Sequence, residues 1–592
     1  MQLTEEQKAV IQTNSNLVIN AVAGSGKTST LIAYAKTRPA GSKILYLAFN
    51  KAVKTEAVQK FAAAGIAHVK VETAHSLAYD HIIKFSQYQL SPGYKSYELC
   101  DALGIATGDR HTDFIIANHV NRFISCFCNS KAAKVQDVHY ADSVSDAKAK
   151  TFVSNFYQQI EQFTRTALSR MNKAEIPVTH DFYLKKFQLS NPALPYDYIL
   201  FDEGQDASAA MLDVFLKQKA IKIIVGDAHQ QIYGWRYAIN SLQEVDFPVY
   251  NLSTSFRFDE EIALVANKIL GWKKHLQQAP KVKITGAGMP SQIVKTKATL
   301  GRSNLGLLLN AIAQWQQGVI KKVCFEGNIS SYTFADEGAS LYDVLHLCNG
   351  KTAHIKDRLI AGMKTIKELE DYIEKTEDNS LKMIVDVVKE FGNKLPGLIN
   401  ELKNNHTTVK EEAGMIFSTV HRCKGMEYDE VNLLNDFITE EKLKKQLAQG
   451  GADKMQGPEM NRLAEEINIL YVAVTRAKSK LRIPAEINPL QSIELVQQQP
   501  GILQAPKKYQ RNSFAEDFDL YDKQSAAKTT SSNYAKPGNY GKAWSKEDEA
   551  FLKQSHFAGS SLKDMARQLS RGVQGVRLKL MSMGLADEDF PF

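Results

Sequence analysis

Asn20-Ala21-Val22-Ala23-Gly24-Ser25-Gly26-Lys27-Thr28 follows the apolar run Leu17-Val18-Ile19 and precedes Ser29-Thr30-Leu31-Ile32-Ala33-Tyr34-Ala35, whose pattern is helical. A loop of small residues between a strand and a helix lets successive backbone N–H groups converge on phosphate oxygens, and the helix N-terminus adds the positive end of its dipole. The stretch therefore predicts a nucleotide-phosphate site lined by Ala23, Gly24, Ser25, Gly26, Lys27, Thr28 and Ser29. Lys27 is expected at the β- and γ-phosphates and Thr28 at a Mg2+ ion. Ala21 stands where such loops usually carry their first glycine, but the strand-loop-helix context that the chemistry needs is intact.

Upstream of the loop, Leu3 to Ile11 reads as a helix capped by Thr4, and Gln7 is placed to meet both edges of an adenine with its amide. Downstream, Lys43 to Phe49 and Val69 to Thr73 are strand-like runs ending in Asn50-Lys51 and Ala74-His75-Ser76. Strands alternating with helices indicate an α/β fold with a parallel sheet covered on both faces, whose ligand sites lie at the carboxyl ends of the strands. Phe49, Asn50, Thr73 and His75 fall at such ends. From about residue 79 to 196 helical patterns with aromatics replace the alternation, a length that fits an inserted helical subdomain better than a loop.

The sheet resumes at Tyr198-Ile199-Leu200-Phe201, which delivers Asp202 and Glu203 at its tip. Asp202 is expected to hold Mg2+ through water, and Glu203 to take the proton of the water attacking the γ-phosphate. A further strand, Ile221 to Val225, leads to Gln230, placed for the nucleotide, and then to Tyr233, Trp235 and Arg236, placed to stack or hold bases. In Ser255-Phe256-Arg257, Arg257 can neutralise charge on the transferring phosphoryl group and Phe256 can cover the purine.

Taken together, these boxes resemble superfamily 1 helicases of the UvrD/Rep/PcrA type, and within them most closely the F-box DNA helicases. Thr179-His180-Asp181, the Asp202 to Asp206 box, the Gly226 to Trp235 box and Ser255-Phe256-Arg257-Phe258 carry the likeness. So do Met415 to Glu427, which resembles motif V, and Asn468 to Lys478, which resembles motif VI. The resemblance implies that Thr419 and His421 hold DNA phosphates, Glu427 the ribose, and Arg476 the nucleotide as a second arginine from another domain. It also implies two RecA-like domains with helical insertions: 1A over 1–78 and 197–255, 1B over 79–196, 2A over 256–335 and 406–490, and a reduced 2B over 336–405. Three departures stand out: Gly204 for the usual Ala in motif II, Tyr237 for the usual Gly in motif III, and Ser29 where relatives often carry Arg. No F-box stands ahead of the motor in this sequence, so a ubiquitin-ligase role is not expected.

Residues 491–541 are polar and poor in aliphatics, as a flexible linker is. Residues 542–592 then show three helical patterns and resemble a Myb/SANT-type helix-turn-helix module. Basic residues including Arg571, Arg577 and Lys579 suggest contact with duplex DNA.

The chain has 592 residues, a net charge of +8, 44% hydrophobic residues and six scattered cysteines. This suits a multi-domain globular protein with reduced thiols, without a secretion signal or membrane span, in the cytoplasm of a prokaryote or encoded by a phage or mobile element. The expected activity is Mg2+- and ATP-dependent 3′ to 5′ movement on single-stranded DNA and single/double-strand junctions, in repair, replication, recombination or defence. The expected partners are DNA and a protein such as a nuclease or a replication or defence factor. A DNA-bound ATPase switch that remodels a partner, and an RNA helicase, are the alternatives.

Overall fold

The apolar run before the phosphate loop forms a strand and the run after it a helix. A computed structural model describes residues 3–327, 341–450, 457–490, 544–557 and 562–571, with single positions 329, 332, 576, 579 and 583. The linker and most of the third C-terminal helical pattern, including Arg577, lie outside these residues.

The first half is built on β1 (Leu17–Ala21), β2 (Ile44–Ala48), β3 (Val69–Thr73), β4 (Tyr198–Phe201), β5 (Ile221–Gly226) and β6 (Val249–Leu252). All pair in parallel, in the order β3-β2-β4-β5-β1-β6. Every residue of β2 and β4 is buried, as strands covered by helices on both faces must be. β1 lies inside the sheet, so the loop after it opens beside the tips of β5 and β6. A short parallel pair, β7 (Thr254–Ser255) with β8 (Thr285–Gly286), leads into the second half.

The second sheet is also parallel: β9 (Lys297–Gly301), β10 (Val323–Phe325), β11 (Met415–Thr419), β12 (Tyr428–Leu433) and β13 (Ala477–Arg482), in the order β10-β11-β9-β12-β13. Its core continues across the junction of the halves, because Val22 and Ala23 of the phosphate loop and Ile232 belong to the same buried cluster as Ile269, Leu300 and Tyr471.

Each half carries one helical insertion. The first, between β3 and β4, includes helices Ser96–Leu103, Arg110–Asn129, Ala147–Asn172 and His180–Leu189. The second, between β10 and β11, includes Leu341–Cys348, Ile366–Thr376, Asn379–Phe391 and Leu395–Asn404. Ile366–Thr376 packs on the two longest helices of the first insertion. Residues 512–592 form a separate compact unit. Among the described residues no helix is long and apolar enough to cross a membrane.

Candidate nucleotide site and nucleic-acid groove

After β1 the chain turns through Gly24 and Gly26, with φ of 75° and 79°, before helix Lys27–Lys36 begins. A Cβ on Gly24 would lie 2.6 Å from Arg257 Cβ and 2.7 Å from Ser255 Oγ, so the loop can press against the 253–257 segment only as glycine. The Phe256 amide donates to Gly24 O at 2.9 Å, and Gln7 Nε2 donates to Ser25 O at 3.3 Å. The Ser25 hydroxyl is buried with no hydrogen-bond partner, an orphan that a phosphate oxygen in this cradle would satisfy. Ser29 is exposed on the helix surface.

Lys27 Nζ lies 3.1 Å from Glu203 Oε1. Burial works against the Glu203 charge, but the Lys27 and Lys424 ammoniums outweigh it and hold the carboxyl down at about 2. Glu203 is therefore ionised at any working pH, as the acceptor of a water proton must be when the step begins. Its φ of 53° places it in the left-handed region, a conformation that for a non-glycine residue persists only where its surroundings enforce it. Asp202 accepts from the Tyr46 hydroxyl and from the Glu203 amide at 2.9 Å. Burial and the neighbouring Glu203 push it up to about 6, and a divalent cation beside it would relieve both. Asp202 thus has the chemistry of a divalent-cation ligand, and Thr28 lies near it through their common neighbour Tyr46.

The departure at Gly204 has a packing cause: a Cβ there would lie 2.5 Å from Ile224 Cγ1. Gly226 is equally constrained, since the Gln205 amide oxygen lies where its Cβ would be. That oxygen accepts from the Asp227 amide at 3.2 Å while Gln205 Nε2 donates to Glu203. Asp227 in turn accepts from Gln230 Nε2 at 2.9 Å and from the Tyr471 hydroxyl at 2.8 Å.

The second half meets this pocket through its own groups. Arg257 donates to Glu427 from Nε at 2.8 Å and to Thr475 O at 2.8 Å. Arg476, almost fully buried, donates to the carbonyls of Val472 at 3.0 Å and Met426 at 3.2 Å. Burial and the charge of Arg476 bring Arg257 down to about 10. Two guanidiniums that act on each other electrostatically, one of them paired with Glu427, favour a further anion beside them.

On the neighbouring face Phe49 and Tyr233 stack with ring centroids 5.6 Å apart, His421 lies 6.0 Å and Trp235 6.5 Å from Tyr233, and Arg236 covers Trp235 at 4.7 Å. Trp235 is 61% exposed, unusual for the largest aromatic and suited to stacking on a base. The Tyr233 hydroxyl donates to His421 O at 3.0 Å, so the groove is shared by both halves. Other expected contacts have structural employment: Asn50 and Thr73 cap helices Lys51–Ala63 and Ala74–Ile82. His75 is packed edge-on to His180 and Tyr183, and Thr419 is buried at the end of β11.

Three participants escaped the sequence reading. Tyr471 accepts from the Ala23 amide at 3.4 Å as well as donating to Asp227. Lys424 donates to Asp206 and, at 2.7 Å, to Gln230 O. Both lie inside motif-like segments, Lys424 in Met415 to Glu427 and Tyr471 in Asn468 to Lys478, so their signal is present in the sequence. Lys273, buried and 3.0 Å from His229 Nδ1, carries no sequence signal.

In the C-terminal unit the described residues include helices Lys546–Phe557 and Leu562–Gln568. Arg571 pairs with Asp548 at 2.9 Å and lies 4.1 Å over the Trp544 ring, while Lys579 pairs with Glu549 at 2.6 Å. Both cations thus hold the unit together.

Two parallel sheets that share one buried core at a phosphate loop, with Lys27 and Glu203 from the first and arginines from the second, define the two-sheet phosphate-loop fold class of helicases. The family model of the UvrD/REP helicase N-terminal domain matches residues 3–245, and that of the UvrD-like helicase C-terminal domain matches 347–486. The chain belongs to the UvrD-like helicase family. F-box DNA helicase 1 of Gallus gallus is 29% identical over 524 residues, covering 83% of this chain and 50% of the relative. F-box DNA helicase protein 1 of Schizosaccharomyces pombe is 29% identical over 557 residues, covering 85% and 60%. ATP-dependent DNA helicase PcrA of Bacillus subtilis is 28% identical over 308 residues, covering 47% and 40%. The chain therefore spans half to three-fifths of the F-box relatives it matches.

Proposed function

We propose that the chain is an ATP-dependent DNA helicase that moves 3′ to 5′ along single-stranded DNA. The observation that carries this reading is the packing of the phosphate loop at Gly24 against Arg257, whose guanidinium bonds the second half at Thr475 O and feels the charge of Arg476. Bound Mg-ATP supplies the transferable phosphoryl group and its neutralising cation, which Thr28 and Asp202 would hold. Lys27 leaves Glu203 for the phosphates, and Glu203 is then free to accept the water proton. Arg257 and Arg476 stabilise the charge that develops. Gln230 and Gln205, both tied to Asp227, relay the state of the pocket to the Tyr233 to Arg236 segment.

The polarity is drawn from the family resemblance. Duplex anchoring by the C-terminal unit and a protein partner complete the proposal. The test is ATP hydrolysis with single-stranded DNA, duplex or RNA added. Wild type is expected to respond most to single-stranded DNA. Glu203→Gln should lose about 100-fold or more in turnover while still binding nucleotide. Stimulation by RNA alone would assign an RNA motor, and stimulation without strand displacement an ATPase switch.

A further inference from the structure

Tyr237 is the departure that the nucleotide site leaves unexplained. It follows the short turn Gly234–Arg236 that presents Trp235, and its φ is 60°. Glycine takes that conformation freely, whereas a tyrosine holds it only if its contacts enforce it. One contact is visible: the Tyr237 hydroxyl donates to the backbone carbonyl of Arg122 at 3.0 Å. Arg122 lies on helix Arg110–Asn129 of the first insertion.

The other end of Arg122 reaches the second insertion. Its guanidinium donates to Thr376 O and to Glu377 Oε2, both at 2.7 Å. Glu377 caps the end of helix Ile366–Thr376 and is itself left-handed, with φ of 54°. Its second oxygen, Oε1, accepts from the Ser145 amide and hydroxyl, each at 2.7 Å, and from the Asp146 amide at 2.5 Å. Burial opposes this charge, yet Ser145, Asp146 and Arg122 hold the carboxyl down to about 2. Four donors on one carboxylate, two of them backbone amides at the start of helix Ala147–Asn172 or next to it, exceed what a solvated surface pair offers. Along the same helix His119 Nε2 meets Lys375 O at 2.9 Å, and Asn118 Nδ2 donates to the Tyr372 hydroxyl at 3.3 Å.

A single arginine thus carries a strained residue at each end, one from the loop that presents Trp235 and one from the far insertion. We propose that Tyr237 and Glu377, acting through Arg122, fasten the two helical insertions into one body attached to the Trp235 loop, and that this fastening converts stepping along a strand into strand separation. The inference rests on the helicase reading above and deepens it: Tyr237 and Glu377 are positioning residues for unwinding, and neither touches the nucleotide site.

The test uses the full chain and the variants Tyr237→Phe, Glu377→Gly and their double. Phenylalanine keeps the ring and removes the hydroxyl; glycine keeps the left-handed backbone and removes the carboxylate. Three readouts are taken: hydrogen exchange at the Ser145 and Asp146 amides, ATP hydrolysis with single-stranded DNA, and displacement of a strand from a tailed duplex. Glu377→Gly is expected to speed exchange at both amides. Each single variant should hydrolyse ATP as wild type does, yet separate at least about fivefold fewer base pairs per ATP. The double should be no worse than the poorer single, since both break one chain of contacts. Unchanged base pairs per ATP in both singles, losses that multiply in the double, or unchanged exchange at 145–146 would each overturn the proposal. Wild-type hydrolysis that no single strand stimulates would instead sink the helicase reading and the unwinding half of this one, leaving the latch to be judged by exchange.

Discussion

Gly24 shows how little room a phosphate loop leaves. An added methyl would meet two side-chain atoms inside 2.8 Å and sit at a φ of 75°, so both sterics and backbone oppose it. Gly24→Ala is expected to destabilise the loop by about 1–3 kcal/mol and to raise the dissociation constant for ATP more than it lowers the melting temperature. Fluorescent-nucleotide titration beside thermal unfolding checks this, and equal nucleotide affinity in the variant would refute it. Residues of this kind were legible in the sequence because their chemistry fixes their spacing: Lys27 and Thr28 follow a glycine loop, and Asp202 and Glu203 end an apolar strand. Arg122 and Glu377 were not. Each resembles a solvated helical charge, and they are 255 positions apart, so only the fold reveals that they meet.

At the scale of elements, the two sheets were readable from apolar runs punctuated by small or polar tips, and the insertions from the loss of that alternation. What helix Ile366–Thr376 would pack against was not readable, since its partners come from another insertion. That contact brings in His119, which burial lowers to about 4. His229 and His421, at the junction of the halves, are lowered by burial to about 4 as well. Such a histidine is neutral when folded and takes up a proton once unfolded at any pH between about 4 and its ordinary 6.5. The unfolded state then binds more protons, so stability falls as pH drops through that window and levels off below it. Each group contributes on the order of 3 kcal/mol over the full span. Urea unfolding should show a falling midpoint from pH 7 to pH 5, and His119→Phe should flatten part of that slope; a midpoint independent of pH would contradict the assignment.

Over the whole molecule, residues 512–592 fold as their own unit, so the motor should not depend on them for catalysis. Removing everything after residue 490 is expected to leave DNA-stimulated hydrolysis intact and to weaken binding to blunt duplex, with a shallower dependence of affinity on salt. Electrophoretic mobility shifts over a salt series measure it, and unchanged duplex affinity would reassign the C-terminal unit to protein contact. Arg571→Ala in the full chain should unfold that unit, because its guanidinium joins Asp548 to Trp544.

The shared burial of Val22, Ala23 and Ile232 with the interior of the second half bears on timing. Parting the halves to admit or discharge nucleotide means wetting greasy surface, and the heat capacity of that wetting makes the barrier temperature-dependent. In the proposed ATPase cycle, product departure is the step expected to carry this apolar cost. Its Eyring plot should bend where that of phosphoanhydride cleavage, with Glu203 taking the water proton, stays straight.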